Sequence, residues 1–419
     1  MNRLLAAILM VTPVPALADT AWVQAVANGY EARLVTTATR CPDMTTDRGA
    51  VAMTVRAPAA VDFPLVCAAP LLPGSHAQIG EIALPATVTK PQRIMVLGDT
   101  GCRIKGAAVQ ACNDPAAWPF AQLAQAAAKL SPDLVIHLGD YLYRESDCPV
   151  GNAGCSGSPW GDNWTTWQAD FYAPAAPLLA AAPMVLVRGN HEDCVRAGPG
   201  WLRLQGPFPF DPATPCAAHL PIYNVVLDDL TLAVMDDSTA AETMLDREGA
   251  VTYAAELAGM ADSPKPVWFV HHRPIWAAIT GPLGIPIGGN LTLMDATRIN
   301  VQNRKPLFPP SVTLQLSGHI HSFEAINYEQ AVPPQIVAGH GGDDLLVTPR
   351  NLRGTQFQGH SGVTVADGVS VGGFGFLMMT RAGDGWTIDL YDQAGQPRVQ
   401  CRFIEGARKS RLDCPELKG

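Results

Sequence analysis

Short apolar runs alternate with longer amphipathic stretches through the central part of the chain, residues 91–345. Residues 94–97 and 134–138 are largely aliphatic or β-branched runs bounded by polar and Gly positions, a pattern typical of buried strands. Between them, residues 119–130 place apolar side chains at helical spacing and predict a helix. The repeated order of strand, helix and strand predicts an α/β core with buried central strands and helices on both faces.

The pattern changes on both sides of this core. Residues 19–90 contain short β-type stretches separated by Pro and Gly, and predict a small β-rich N-terminal unit. Residues 346–419 return to strands and Gly-rich turns, and predict a β-rich C-terminal part that completes the core. Internal repeats and low-complexity tracts are absent from the sequence.

Five short polar motifs each follow one of the predicted strands or strand-like runs. They are GDTG at 98–101, GDYLY at 139–143, GNHE at 189–192, HHRP at 271–274 and GHIH at 318–321. Their carboxylate, amide, imidazole and phenol groups are metal ligands, and strand ends are where such ligands can meet. A single Gly-Asp or Gly-His pair occurs by chance, but five such motifs in order do not. They predict a two-metal phosphoesterase site, in which two ions about 3.5–4 Å apart share a carboxylate.

Residues 1–18 have the pattern of a secretory signal peptide. Arg3 precedes an apolar run at 4–11 that is too short to span a bilayer, and residues 16–18 fit a small-x-small cleavage site. We expect the mature chain to start at Asp19 and the protein to be exported, to the periplasm or the medium; an uncleaved anchor is the alternative. No later stretch is apolar enough to predict a membrane span after removal of the signal.

All ten cysteines lie beyond the predicted cleavage site. An even number of cysteines in an exported chain predicts five disulfides. The sequence does not determine their pairing, but joining each cysteine to its nearest neighbour would close five short loops, three of them beside the polar motifs. A metal ion ligated by cysteine is the competing interpretation, and the absence of any CxxC pair disfavours it.

The formal net charge of −9 argues against a broad surface for binding nucleic acid or another polyanion. The substrate that fits the motifs is therefore a small phosphorylated molecule. Its negative charge would have to be met locally, by metal ions and a few arginines.

At the five motifs the chain resembles the calcineurin-like metallophosphoesterase superfamily, and within it most closely the purple acid phosphatases. The usual first motif of the superfamily is D-x-H, and Gly101 stands where that His would bind the first metal. Purple acid phosphatases share this replacement and supply a Tyr three residues after the bridging Asp, the position of Tyr143 relative to Asp140. The resemblance covers about residues 91–345. It implies a four-layer α/β/β/α metallophosphoesterase sandwich, beside which the small β-rich N-terminal unit would lie.

The resemblance also implies the ligands of a binuclear metal centre. The first metal would be held by Asp99, Asp140, Tyr143 and His321, and the second by Asp140, Asn190, His272 and His319. Phenolate favours Fe(III) at the first position, whereas the second would accept Fe(II), Zn(II) or Mn(II). His191 matches the family's His that assists phosphate binding and departure of the leaving group.

Other polar residues near the motifs are weaker candidates. Arg196 follows the GNHE motif and either reaches the substrate phosphate or pairs with a nearby acid. His271 is expected to support the site or lie on a strand face, because His272 is followed by the family's x-Pro. Tyr141 lies at the wrong offset for a ligand and is expected to pack, and His340 either borders the cleft or belongs to a turn.

These features predict an exported, metal-dependent phosphoesterase that hydrolyses phosphomonoesters, with metal-bound hydroxide attacking in line at phosphorus. The nearest alternative is a phosphodiesterase acting on nucleotides or phospholipid head groups, because the same ligands serve both reactions. A non-catalytic envelope binding protein of the same fold is a third hypothesis. It predicts lost ligands, and all seven are present in the sequence.

Overall fold

A computed structural model describes residues 19–260, 263–280, 286–357, 363–406 and 409–414, with only the backbone of residues 286–287. The signal peptide predicted for residues 1–18 lies outside the described residues. Within the described ranges the chain forms 26 strands and six α-helices. None of these helices is long and apolar enough to cross a membrane.

The strands are numbered in chain order. The first thirteen are β1 Thr20–Val26, β2 Gly29–Thr36, β3 Asp43–Thr46, β4 Gly49–Ala52, β5 Thr54–Ala57, β6 Leu65–Leu71, β7 Ala77–Ile79, β8 Ile82–Ala83, β9 Arg93–Leu97, β10 Ile104–Lys105, β11 Ala108–Val109, β12 Leu134–His137 and β13 Met184–Leu186. The others are β14 Tyr223–Val226, β15 Thr231–Val234, β16 Val267–Val270, β17 Ile279–Thr280, β18 Pro286–Ile287, β19 Val312–Ser317, β20 Phe323–Tyr328, β21 Gln335–Ala338, β22 Val365–Val371, β23 Gly375–Ala382, β24 Gly385–Asp392, β25 Pro397–Ile404 and β26 Arg411–Asp413.

The helices connect these strands. They are α1 Phe120–Lys129, α2 Trp164–Trp167, α3 Ala176–Ala181, α4 Gly198–Leu204, α5 Arg247–Gly259 and α6 Leu291–Gln302, with a π-helical turn at Gln168–Tyr172 and a 3-10 turn at Asn190–Glu192. Helix α1 lies where residues 119–130 predict one. Three longer helices, α1, α5 and α6, would each be marginal alone, so packing against the sheets stabilises them.

Two large sheets form the centre of the molecule. The first has eleven strands in the order β26-β25-β24-β23-β9-β12-β13-β1-β2-β6-β5, and the second has seven in the order β14-β15-β16-β19-β21-β20-β22. Strands β9, β12, β13 and β1 run parallel in the first sheet, as do β15, β16, β19 and β21 in the second. Antiparallel strands flank both parallel parts.

Alternating side chains of one strand explain how the layers stack. In β9, Ile94 and Val96 belong to the core between the two sheets, whereas Met95 and Leu97 pack with α1 on the outer face. In β16 of the second sheet, Trp268 faces the core between the sheets and Phe269 packs on the other side, in the cluster that contains residues of α5 and α6. The architecture is therefore the predicted four-layer α/β/β/α sandwich, and the predicted fold class is confirmed.

Strands from both ends of the chain extend the first sheet. From residues 19–90, β1, β2, β5 and β6 join it on one side, while β3, β4, β7 and β8 form a small sheet of their own. From residues 346–419, β23 to β26 join it on the other side. The β character of both regions agrees with the sequence pattern, and their strands surround the parallel strands that carry the polar motifs.

All ten cysteines form disulfides, and each pairs with its nearest neighbour in sequence. The pairs are Cys41–Cys67, Cys102–Cys112, Cys148–Cys155, Cys194–Cys216 and Cys401–Cys414. The prediction of five disulfides is confirmed, and no cysteine is free. Three of the closed loops adjoin polar motifs, where they restrict the loops that carry candidate ligands.

Candidate metal centre

The five polar motifs follow strands that are neighbours in the two sheets. GDTG, GDYLY and GNHE come after β9, β12 and β13, which are adjacent in the first sheet. HHRP and GHIH come after β16 and β19, which are adjacent in the second sheet. Because these strands are parallel within each sheet, their carboxyl ends lie at one edge, and the two edges meet where the sheets stack. This arrangement brings all the predicted ligands together.

One group of side chains surrounds the Tyr143 phenol oxygen. That oxygen lies 2.8 Å from Oδ2 of Asp140, 3.2 Å from Oδ1 of Asp99 and 3.1 Å from Nε2 of His321. Nε2 of His321 is also 3.3 Å from Oδ1 of Asp99. These four residues are the set predicted for the first metal, and all four are buried.

A second group adjoins it. Nε2 of His272 lies 3.0 Å from Oδ1 of Asn190 and 3.3 Å from Oδ2 of Asp140. Ligand atoms of Asp140, His272 and His319 all lie within 4.8 Å of one another, a grouping that could hold a metal ion. Together with Asn190, these residues are the set predicted for the second metal.

Asp140 belongs to both groups through a single atom. Its Oδ2 is in contact with the Tyr143 phenol on one side and the His272 imidazole on the other. Its Oδ1 accepts a hydrogen bond from the backbone N–H of His191 at 2.8 Å, which fixes the plane of the carboxylate. A carboxylate in this position is suited to bridge two cations.

Hydrogen bonds to the opposite ring nitrogen orient the imidazoles. Nδ1 of His272 donates to the carbonyl oxygen of Leu138 at 2.7 Å, and Nδ1 of His321 donates to that of Asp344 at 2.6 Å. Their Nε2 atoms therefore face the site, the orientation that metal ligation requires. In His319 the two nitrogens exchange roles. Its Nε2 lies 2.6 Å from Oε1 of Glu242, so Nδ1 is the nitrogen that remains for a metal.

The carboxylates create a field that attracts cations. Burial alone would lower the pKa of His272, but the charge and hydrogen bond of Asp140 raise that pKa to about 10. Burial would also lower the pKa of His321, but the hydrogen bond and charge of Asp99 raise that pKa to about 9. Burial, followed by the charges of Asp140 and Asp99, raises the pKa of the Tyr143 phenol. A bound cation would release the Tyr143 proton and stabilise the phenolate, so the donor set fits a binuclear metal centre.

Three proposed ligands have strained backbone conformations. Asp99, Asp140 and His319 have φ values of 57°, 59° and 67°, in the left-handed region that residues other than Gly rarely adopt. Each follows a Gly in its motif and directs its side chain sharply out of the strand end. Such strain persists only where the surroundings hold it, and it clusters at functional sites.

The structure gives a steric reason for the paired change at Gly101 and Tyr143. A Cβ atom at position 101 would lie 2.7 Å from Cδ2 of Tyr143 and 2.7 Å from the carbonyl oxygen of Tyr141. The Tyr143 ring thus occupies the space that a side chain at position 101 would need. With this backbone, a ligating side chain at position 101 and the Tyr143 ring would overlap, so only one of them can be present.

Glu192 is a buried carboxylate whose role is not evident from its place in the GNHE motif. Its two oxygens accept hydrogen bonds from the backbone N–H groups of Asp140, Tyr141, Leu142 and Gly189 at 2.8–3.1 Å. Burial and the charge of Asp140 raise the pKa of Glu192, and the backbone donors oppose that rise. Glu192 thereby joins the loops after β12 and β13 and positions the Asp140 backbone.

Asp237 supports the second sheet's ligands in a similar way. Its oxygens lie 2.9 Å from Nδ1 of His271 and accept hydrogen bonds from the backbone N–H groups of His272 and Arg273. His271 therefore contacts Asp237 instead of the proposed ligands and stacks on Phe269. Asp237 follows β15, but it belongs to none of the five motifs.

His191 lies beside the Asp140 carboxylate without belonging to either ligand group. Its Nε2 is 3.9 Å from Oδ2 of Asp140, and its Nδ1 is 2.6 Å from Oε1 of Glu145. Burial opposes ionisation of Glu145, but its close contacts with the His191 imidazole and the Lys105 ammonium lower the pKa of Glu145 to about 2. The Glu145 carboxylate thus fixes the His191 ring with Nε2 toward the metal groups.

The remaining candidates lie in different surroundings. Arg196 is 3.6 Å from carboxylate oxygens of both Asp193 and Glu145, the acid-paired arrangement that the sequence left open. Tyr141 packs against His137 with its ring stacked at 4.1 Å, and its hydroxyl donates to the Val187 carbonyl at 2.8 Å. The His340 imidazole is buried, and burial lowers its pKa to about 3, so it is neutral.

A cavity of about 750 Å³ opens onto the proposed ligands. Asp140, Tyr143, Asn190, His319 and His321 line its polar end together with His191. The apolar part of its lining includes Ile279, Leu291, Leu345, Leu346 and Phe357. The cavity is large enough for a small-molecule ester.

A sequence model of the calcineurin-like phosphoesterase family matches residues 92–323, more than half of the chain. A comparison with curated protein sequences gives no significant match. Among solved structures, purple acid phosphatase PPD1 from yellow lupin (Lupinus luteus) seeds aligns with a TM-score of 0.53 and 13% identity over 96% of this chain and 76% of that one. PhoD aligns with a TM-score of 0.55 and 11% identity over 96% and 93%. At these identities the similarity shows a shared fold.

Replacing Gly101 by Ala should disturb Tyr143 because the new methyl group would overlap its ring. We expect Gly101→Ala to lower the free energy of unfolding by about 1–3 kcal/mol and to reduce metal content. Urea unfolding and metal analysis of purified protein would measure both. Gly259→Ala is the matched control, since no atom lies within 4 Å of a Cβ at that position. Equal stability and metal content in the two variants would show that the steric account is wrong.

Proposed function

The chain belongs to the calcineurin-like phosphoesterase family and is a metal-dependent phosphoric ester hydrolase, and we propose that it hydrolyses phosphomonoesters at a binuclear metal centre. The observation that carries the proposal is the position of Tyr143. Its oxygen lies among Asp99, Asp140 and His321, in space that Gly101 leaves free. This is the arrangement that the resemblance to purple acid phosphatases implies.

The described lining of the cavity has more carboxylates than arginines. Asp140, Glu242 and Asp344 contribute carboxylates to its lining, and Arg103 is the arginine among its described lining residues. Arg103 already forms an ion pair with the buried carboxylate of Asp343. A phosphate ester therefore requires bound cations to offset the negative charge.

We assign the seven proposed ligands to two cations. Asp99, Tyr143 and His321 would hold the first, Asn190, His272 and His319 the second, and Asp140 would contact both. Bound cations supply Lewis-acid polarisation of the phosphoryl oxygens and activation of water for attack on phosphorus. Phenolate and carboxylate oxygens favour Fe(III) at the first position, and the nitrogen-richer second position suits Fe(II), Zn(II) or Mn(II). Metal analysis of the purified protein tests this assignment.

His191 is the residue that we assign to the leaving group. Its Nδ1 lies 2.6 Å from Oε1 of Glu145, and its ring lines the cavity with Nε2 3.9 Å from Oδ2 of Asp140. Burial lowers the pKa of His191, and the charges of Asp140 and Glu145 offset that decrease only in part. A bound phosphate ester adds further negative charge and favours the imidazolium, which can donate a proton to the departing oxygen.

Arg196 fits a supporting role in this scheme. Its guanidinium contacts Glu145, and Glu145 in turn contacts His191. Arg196 is absent from the described lining of the cavity, so direct contact with the substrate would need the side chain to leave its acidic partners. We therefore place Arg196 behind His191, where it helps to hold Glu145.

We also propose that the protein is exported from the cytoplasm. The described residues contain five disulfides and no free cysteine, a pattern of oxidising compartments. Together with the signal-like pattern of residues 1–18, this supports a periplasmic or secreted protein. N-terminal sequencing of protein recovered from outside the cytoplasm should find Asp19 as the first residue, and an intact Met1 would contradict cleavage.

Hydrolysis of an aryl phosphate tests the reaction directly. The metal-loaded protein should hydrolyse the monoester faster than the corresponding bis-aryl diester, because it is the monoester that the purple acid phosphatase pattern favours. Asp140→Asn should lower metal content and turnover by orders of magnitude, since this carboxylate contacts both ligand groups.

The exposed Asp384→Asn is the control for the loss of one carboxylate. Faster hydrolysis of the diester would favour the phosphodiesterase alternative. Full metal content and activity in Asp140→Asn would show that the carboxylate does not bridge.

Replacing His191 should separate catalysis from metal binding. His191→Ala should retain the metal while turnover falls by roughly 10²–10⁴-fold. The loss should be smaller for an ester of an acidic phenol, which departs with little proton assistance. His219→Ala is a matched control, because His219 also pairs with a carboxylate, that of Glu256, outside the cavity lining. Loss of metal, or an equal defect for the ester of an acidic phenol and for a simple alkyl phosphate, would contradict the role.

A further inference from the structure

The cavity at the metal centre continues into a second groove. The two share Leu345 and Leu346, and the groove adds a volume of about 970 Å³. Leu346 is tied to the site, because its backbone N–H donates to the carbonyl oxygen of His321 at 3.0 Å. A molecule bound at the metal centre could therefore extend over these two leucines into the groove.

The groove has the opposite charge to the protein as a whole. Its described lining contains three arginines, Arg350, Arg353 and Arg398, and one acid, Asp367, whereas the chain has a net charge of −9. Asp367 is paired with Arg353. Two cationic side chains thus remain without a carboxylate partner among the described residues. This local excess of positive charge would attract an anion.

Arg350 and Arg398 have their charged groups available. The exposed Arg350 side chain makes no hydrogen bond or ion pair with any residue that the structure describes, although its backbone carbonyl accepts from Ser370. Arg398 donates from Nη1 to the carbonyl oxygen of Gly372 at 2.8 Å, which positions its guanidinium at the groove. Neither interaction neutralises the charge, and a guanidinium fork can bind a carboxylate or phosphate through two parallel hydrogen bonds.

We propose that this arginine groove binds a second anionic group of the substrate, so that the preferred substrate is a phosphate ester whose leaving group is apolar near the phosphorus and anionic at its far end. The proposal rests on the proposed function, because the phosphoryl group must lie at the metal centre. Ile279, Leu345, Leu346 and Phe357 would contact the apolar part. Arg350 and Arg398 would bind the distal anion.

The distances allow such a substrate to be small. Arg350 follows Leu346 by four residues, so at most about 14 Å separates their Cα atoms. The long Arg350 side chain reduces the span that the substrate itself must cover. A leaving group with one aromatic ring and a short alkyl chain is therefore of suitable length.

A series of substituted phenyl phosphates tests the proposal. Each would carry in the para position an alkyl chain of stepped length that ends in a carboxylate, a phosphonate or, as the neutral match, a primary amide. The ratio of kcat/KM for the anionic ester to that for its amide should rise by about threefold to tenfold at the chain length that reaches the groove. Because exposed charges bind the anion, this ratio should fall as ionic strength rises. A larger ratio for phosphonate would identify a phosphate-like distal group as the preferred one.

Arginine variants locate the effect. Arg350→Ala should lower the selectivity ratio toward unity, and Arg350→Lys should retain part of it because the charge remains. Arg402→Ala is the matched control, since Arg402 lies on the same strand, β25, as Arg398 but pairs with Asp384 outside the groove lining. Equal rates for acid and amide at every chain length would overturn the proposal, as would an unchanged ratio in both Arg350→Ala and Arg398→Ala.

A binding measurement separates this inference from the proposed function. Aryl phosphonates with the same tails cannot be hydrolysed, so calorimetry with the metal-loaded protein measures the acid-to-amide affinity ratio without turnover. A preference for the acid that depends on Arg350 would support the groove even if phenyl phosphates are not hydrolysed. Failure to hydrolyse phenyl phosphates would contradict only the proposed function. Absence of the preference in binding would overturn the groove and leave the proposed function standing.

Discussion

Burial of several carboxylates in one small volume is the constraint on which the rest of the site depends. Asp99 and Asp140 are at most 1% exposed, and a buried carboxylate is costly unless it is paired and hydrogen-bonded. Imidazoles, the Tyr143 phenol and backbone N–H groups of His191 and His319 surround them. The same negative charge that these groups stabilise is what makes the centre attractive to metal cations.

The backbone at the edges of the sheets is shaped by this requirement. The left-handed conformations of Asp99, Asp140 and His319 turn the side chains inward directly after the strands. Loops with this strain need support. Glu192 provides it by accepting four backbone hydrogen bonds from the two loops of the first sheet, and Asp237 does the same for the loop after β16. The rigid sheets behind the loops keep these contacts in register.

The centre also joins two surfaces of different character. Apolar residues form one wall of its cavity, and beyond Leu345 and Leu346 the lining becomes rich in arginine. The proposed ligands follow the ends of buried strands, whereas Leu345, Leu346 and Arg350 lie in the segment between β21 and β22. In α/β folds, functional residues are commonly held at the ends of rigid strands, and the loops around them form the rest of the binding site.

The sequence by itself determined the α/β class, the strands that precede the motifs, the ligand candidates and the paired change at Gly101 and Tyr143, because each is a local pattern of a few residues. Only the tertiary structure decided which groups support them. Glu242 lies 77 residues from His319, and Glu192 lies 52 residues from Asp140. Contacts over such separations follow from how the two sheets pack, and no periodicity along the chain records that packing. The arginine groove likewise depends on strands and loops that are brought together only when the second sheet closes against the first.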